Sequence, residues 1–165
     1  MPGLLVIDPQ PCLAVTRGQR RVLGRIGRTV ESGAYQFVLA TRFTGRGGRW
    51  DSVPIGQATW CAGAERNALD PVVRANASHV WDKAGYAVDA SEVAAWLRSR
   101  GYSCDVLCVC GIDVDGAVLA SCFALWDAGI RPMVVPALCA SPGGWRARRA
   151  GLECLQGSLR AVPGV

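Results

Sequence analysis

The chain has 165 residues, of which half are apolar and 19% charged, and its net charge is +5. This length and balance predict a single domain over residues 1–165 with a sizeable core, and they exclude a disordered chain. No apolar run reaches the about 18 residues that a membrane span needs. The opening Met1-Pro2-Gly3-Leu4-Leu5 has neither the basic start nor the cleavage site of a signal peptide, so the expectation is a cytosolic protein with no membrane partner.

In chain order, Leu4–Ile7 is a short apolar run ending in Asp8, the pattern of a strand buried on both faces. A helix is expected from Arg17 to about Ser32, with Val22, Leu23, Ile26 and Val30 on one face. Tyr35–Ala40 is expected as the second strand. Residues 44–78 read as irregular. Ser78–Trp81 is expected as a third strand ending near Lys83. Ser91 is placed to cap a helix carrying Val93, Trp96 and Leu97 that stops near Gly101. Asp105–Cys110 is the most apolar strand, the fourth. Asp115 is placed to cap the next helix, with Val118, Leu119, Cys122, Phe123 and Trp126 inward and Gly129 at its end. Pro132–Pro136 brackets a fifth strand, Gly144–Leu155 is a last helix and Leu159–Val162 a sixth strand. Alternation of strand and helix from end to end predicts an α/β fold: a mostly parallel sheet with helices on both faces. Ligands of such sheets bind at the carboxyl ends of the strands, near the point where strand order reverses. Asp8, Lys83 and the turn at 111–117 all follow strands and so fall on that edge.

Several chemistries are excluded. The first strand runs into Asp8-Pro9-Gln10-Pro11 rather than a glycine-rich phosphate loop, so no dinucleotide site is expected. With His79 as the only histidine, a His-rich metal site cannot form, and no GxSxG elbow is present to hold a triad serine; His79 is expected to be structural. The eight cysteines lie mostly in apolar surroundings and lack paired CxxC spacing, so they are expected as reduced thiols rather than zinc ligands or disulfides. Arginines at 42, 46, 49, 146, 148 and 149 make no sustained stripe and have no aromatic platform between them, so no nucleic-acid partner is expected.

Of the 18 basic residues 17 are arginine, and Lys83 is the only lysine. An ammonium shifts its pKa and passes a proton readily, whereas a guanidinium does not. Lys83 therefore stands out as a functional candidate, together with the carboxylate of Asp8 at a strand end.

Three segments share one family pattern. Leu5-Val6-Ile7-Asp8-Pro9-Gln10 resembles an opening strand that ends in Asp-x-Gln. Lys83-Ala84-Gly85-Tyr86 is similar to a Lys-x-x-Tyr segment. Val109-Cys110-Gly111-Ile112-Asp113-Val114-Asp115-Gly116-Ala117-Val118 resembles Val-Cys-Gly-x-x-x-Asp-x-Cys-Val. Together they resemble the isochorismatase-like family, or cysteine hydrolases, over about residues 3 to 145, with residues 44–78 matching poorly. The resemblance implies a three-layer α/β/α fold with six strands in the order 3-2-1-4-5-6. It also implies hydrolysis of a C–N bond, of amide or lactam type, in a small molecule by a Cys-Asp-Lys triad. Asp8 takes the thiol proton in that scheme, and Lys83 helps hold charge. The amides of Asp113 and Ala117 form an oxyanion hole, shaped by a cis peptide at Ile112–Asp113. No cofactor is implied, and the histidine-bound metal of the nicotinamidase branch does not fit a chain with one histidine. A homo-oligomer, dimer or larger, is implied as well. The first and third strands would be about 9.6 Å apart, a gap that a long lysine stem helps to span. Phe43, Trp60, Tyr86 and Trp145 are candidate substrate-binding walls.

The departure from the pattern is Ala117, which stands where the family has its nucleophilic cysteine. Three readings follow. The alanine is an engineered replacement that inactivates the hydrolase. Alternatively the chain is a natural pseudoenzyme that binds a ligand or protein partner. In the third, the chemistry needs no thiol, as in isochorismatases that cleave a vinyl ether with the aspartate as acid. Cys12 is a minor surrogate candidate, and Cys122 lies about 140° around the helix from residue 117.

Overall fold

A computed structural model describes residues 2–44 and 67–163. Its strands are β1 (Gly3–Ile7), β2 (Val38–Phe43), β3 (His79–Lys83), β4 (Val106–Gly111) and β5 (Arg131–Cys139). Its helices are α1 (Arg17–Glu31), α2 (Pro71–Asn76), α3 (Ala90–Ser99), α4 (Ala117–Asp127) and α5 (Gly144–Leu159). The strands form one parallel sheet in the order β3-β2-β1-β4-β5.

Chain direction across the sheet reverses at β1, which has β2 on one side and β4 on the other. Right-handed crossovers then put the connecting helices on opposite faces: α1 packs with α2, and α3 with α4. All five residues of β1 are buried, as expected of a strand covered on both faces. Leu4, Leu5, Val6 and Ile7 join Ile26 of α1, Val118 and Leu125 of α4, and Leu107 and Val109 of β4 in one core. Where β1 and β4 leave the sheet side by side, Ile7 is in register with Gly111. A Cβ at Gly111 would stand 2.7 Å from the Ile7 carbonyl oxygen, so only glycine fits there.

The α/β expectation holds, but among the described residues the sheet has five strands rather than six. Of the residues expected to form the sixth strand, Leu159 is instead the last of α5 and Arg160 caps that helix in the left-handed region (φ 49°). Beyond it, the Ala161 carbonyl accepts one bond from the Val134 amide (2.7 Å). Pro163 follows and has no N–H with which to extend a ladder.

Other boundaries also move, for local reasons. β2 lies three residues later than expected at both ends: it pairs Val38 with Leu4 and carries on through Thr41 to Phe43. Its polar end looks unlike a strand in sequence, yet Thr41 is fully buried. β5 passes through Pro132 and Pro136, which an edge strand tolerates. α2 was not expected; Pro71 opens it and Asp70 caps it, accepting from the amides of Val72 (3.0 Å) and Val73 (3.2 Å), a pairing typical of helix starts. Asp89, not Ser91, caps α3, and its carboxylate accepts from the Ser91 and Glu92 amides. In α4 the inward face is Ala117, Val118, Ser121, Cys122 and Leu125. Phe123 and Trp126, expected inward, point to solvent because they lie on the other side of that i, i+4 stripe. No helix among the described residues is long and apolar enough to cross a membrane.

Candidate active site

Asp8 is the first residue beyond β1, and its backbone is in the left-handed region (φ 48°). Thr41 of β2 holds it in place: the Thr41 hydroxyl accepts from the Asp8 amide (3.0 Å) and donates to Asp8 Oδ1 (2.7 Å). The other carboxylate oxygen, Oδ2, lies 2.6 Å from Lys83 Nζ at the end of β3. Lys83 also donates to the carbonyls of Gly85 and Tyr86, each at 2.9 Å, so all three ammonium protons have acceptors. Both side chains are buried. Burial pushes the Asp8 carboxyl above its ordinary range, and the attraction of Lys83 and the Thr41 bond only partly offset this. β2 lies between β1 and β3, so the lysine spans two strand spacings.

Gln10, two residues beyond Asp8, is fully buried. Its amide nitrogen donates to the carbonyls of Phe43 (3.0 Å) and Asn67 (3.2 Å) and to Asn67 Oδ1, while its oxygen accepts from the Phe43 amide (2.7 Å). The loop after β1 is thereby tied to the end of β2. The sequence flags Gln10 only through its motif, and it does not flag Thr41 or Gln19. Gln19 forms the capping box of α1 with Thr16 and sends its Nε2 to the Ile112 carbonyl (2.9 Å). The contact across 93 positions has no signature in local periodicity.

In the third segment, the Val114 amide bonds the Ala140 carbonyl (2.8 Å) and the Ala140 amide bonds the Gly111 carbonyl (3.1 Å). Among the described residues no peptide bond is cis. The expected cis bond at Ile112–Asp113 is therefore trans, the geometry that a non-proline bond strongly prefers. Ala117, buried, is the first residue of α4. Its amide donates to Asp113 Oδ2 (3.2 Å), and the Val118 amide donates to the Asp113 carbonyl (3.0 Å). Asp113 thus supplies the capping bond expected from Asp115, while the helix's N-cap residue is Gly116, which has no side chain to give one. Asp115 Oδ1 is instead buried with no partner among the described residues. Asp113 is pushed above the ordinary carboxylate range, first by burial, with Asp115 and Asp8 adding to the rise and the Ala117 amide and Lys83 opposing it.

Of the expected walls, Phe43 has its ring centroid 5.4 Å from Lys83 Nζ. Tyr86 is half exposed, and burial together with the Asp113 charge raises its phenol. Trp145 is 68% exposed, with Arg146 over its ring. Trp60, like Arg46 and Arg49, lies outside the described residues. His79 is at the start of β3, the opposite end from Lys83, with its ring against Trp81. Among the described residues no cluster of His, Cys, Asp or Glu could hold a metal ion, and the residues present do not fit a histidine-bound metal. Several arginines have local partners: Arg42 pairs with Asp82, Arg149 with Glu153, and Arg148 bonds the carbonyls of Cys139 and Pro136.

A family model described as the isochorismatase domain matches residues 2–162. Among solved structures, the fold is similar to a pyrazinamidase/nicotinamidase from Streptococcus mutans (TM-score 0.78, 16% identity, covering 98% of this chain and 99% of that one). It is similar also to an isochorismatase-like hydrolase from Alkaliphilus metalliredigens (TM-score 0.79, 13% identity, 97% and 92%). A nicotinamidase from Bacillus subtilis aligns at TM-score 0.73 and 18% identity, over 98% and 99%. No curated protein matches the chain by sequence.

Proposed function

Because this chain belongs to the isochorismatase family, we propose that it carries the small-molecule site of a cysteine hydrolase with the nucleophile missing. The observation that supports this most is the buried Asp8–Lys83 pair, kept in a chain whose residue 117, in the family's nucleophile position, is alanine. A thiol at residue 117 would attack an amide or lactam carbon, passing its proton towards Asp8. The C–N bond would break as Asp8 returns that proton to the departing nitrogen, and the thioester so formed would be cleaved by water to the acid and the free thiol. A methyl group cannot form that bond, so the chain as it stands binds such a carbonyl compound without turning it over. Whether the alanine arose by descent or by design, the chemistry left to the site is the same. The reading also takes the protein to be a cytosolic homo-oligomer, dimer or larger, which light scattering on the purified chain checks.

The test compares the native chain with Ala117→Cys over a panel of small amides, lactams and isochorismate. Turnover of an amide or lactam by the cysteine form alone is the expected result. Equal rates in both forms would sink the thiol scheme.

One observation favours a second reading. Asp8 is a carboxyl whose affinity for a proton is raised by burial, as suits a general acid. Protonation of a vinyl ether by Asp8 would need no thiol. On that reading the native chain cleaves isochorismate and Asp8→Asn abolishes the reaction.

A further inference from the structure

The amide at the head of α4 is where an anion would be received, because the first N–H groups of a helix lack backbone partners and carry the positive end of its dipole. Here it is already engaged, with Asp113 Oδ2 3.2 Å from the Ala117 nitrogen. The backbone is fitted to that carboxylate. A Cβ at Gly116 would collide with Asp113 Oδ2 and stand 2.9 Å from its Oδ1 and Cγ, so glycine is what allows the side chain to fold back. Asp113 is held from a second direction through its own carbonyl, which accepts from the Val118 amide.

We propose that Asp113 is a specificity-determining residue that closes the head of α4 to negative charge, so that the site takes small molecules whose group facing Ala117 is neutral or cationic. The inference rests on the small-molecule site proposed above and restricts what it accepts. The charges of Asp8 and Asp115 act on Asp113 in one sense and Lys83 in the other, and the Asp113 charge acts in turn on the Tyr86 phenol. Lys83 is already bonded to Asp8, whereas the carboxylate of Asp113 is bonded to the amide of residue 117 itself. Two consequences follow. An oxyanion or carboxylate placed there meets a carboxylate rather than a free amide. Restoring a thiol at residue 117 restores it in a setting that disfavours the thiolate.

The test uses Ala117→Cys as a reporter in the full chain. Its alkylation by iodoacetamide is followed against pH, peptide by peptide in a mass spectrometer, so that the natural cysteines are scored apart. The expected result is that the reporter thiol titrates about one unit or more higher with Asp113 present than in Ala117→Cys/Asp113→Asn. A cationic methanethiosulfonate should also outpace an anionic one, by a ratio that shrinks in the double variant. Asparagine keeps the shape and an acceptor for the Ala117 amide, so the comparison isolates charge; if that variant does not fold, Asp113→Ser reads the same quantity. Superposed profiles with and without the Asp113 charge would overturn the proposal. So would an equal shift from Asp115→Asn, which would mean a diffuse field. None of these readouts needs a substrate; because the Asp113 charge would itself slow Ala117→Cys, the hydrolase reading is judged on Ala117→Cys/Asp113→Asn, where absence of turnover would count against that reading and leave this result standing.

Discussion

Lys83 Nζ lies 2.6 Å from Asp8 Oδ2, although the two residues end strands that do not pair with each other. The contact joins the chain's only lysine to the first carboxylate beyond the central strand, and both side chains are buried. A buried pair of this kind is hard to break from one side, because the remaining charge has neither water nor partner.

Lys83→Met should therefore lower the unfolding free energy by about 3–5 kcal/mol. The double variant Asp8→Asn/Lys83→Met should recover much of that loss, since no lone charge is left behind. Urea denaturation of the two single variants and the double one measures the coupling. A fully additive result would mean that the pair has no energetic partnership.

Asp113 gives a pH signature. Its carboxyl is raised above the ordinary 3.8 by burial first, so the folded state binds the proton more tightly than the unfolded chain does. Stability from this group is then fully present below the unfolded value of 3.8 and is lost as pH rises through the higher folded value. Asp8, raised in the same direction, acts likewise. In Asp113→Asn the stability profile should fall less steeply with pH above about 4 than in the native chain. Denaturant midpoints at several pH values check this, and parallel profiles would show that Asp113 titrates alike in both states.

Gly116→Ala should destabilise the fold by about 1–3 kcal/mol, the usual cost of forcing a methyl into a filled space. The obstacle is one carboxylate, so Gly116→Ala should cost much less in an Asp113→Ala background. A double-mutant cycle by thermal or urea unfolding gives the coupling. An unchanged cost in both backgrounds would place the strain in the backbone of residue 116 rather than in its contact with Asp113.

Much of the architecture is legible in local sequence. The buried run Leu4–Ile7, the apolar Val106–Cys110 and the periodic stripe Leu23, Ile26 and Val30 all sit where their patterns indicate. The misreadings occur where a particular contact, near or distant, overrides the local pattern. Thr41 ends the apolar part of β2, yet it is buried because Asp8 satisfies its hydroxyl. Asp115 is placed by sequence to cap α4, but the side chain that reaches the Ala117 amide is that of Asp113. Leu159–Val162 reads as a strand by composition, but α5 runs on to Leu159 and Pro163 leaves too little backbone for a ladder.

The sequence by itself determined the alternation of strands and helices, the three family motifs, the solitary lysine and the alanine at residue 117. Composition, period and spacing are local quantities, and these features are local. Tertiary structure decided what the charged groups do. It brought Lys83 to Asp8 across β2, turned the carboxylate of Asp113 back onto the Ala117 amide and left Asp115 Oδ1 buried without a partner among the described residues. Those outcomes depend on which side chains share a desolvated space, and that is fixed only when the strands have taken their order in the sheet.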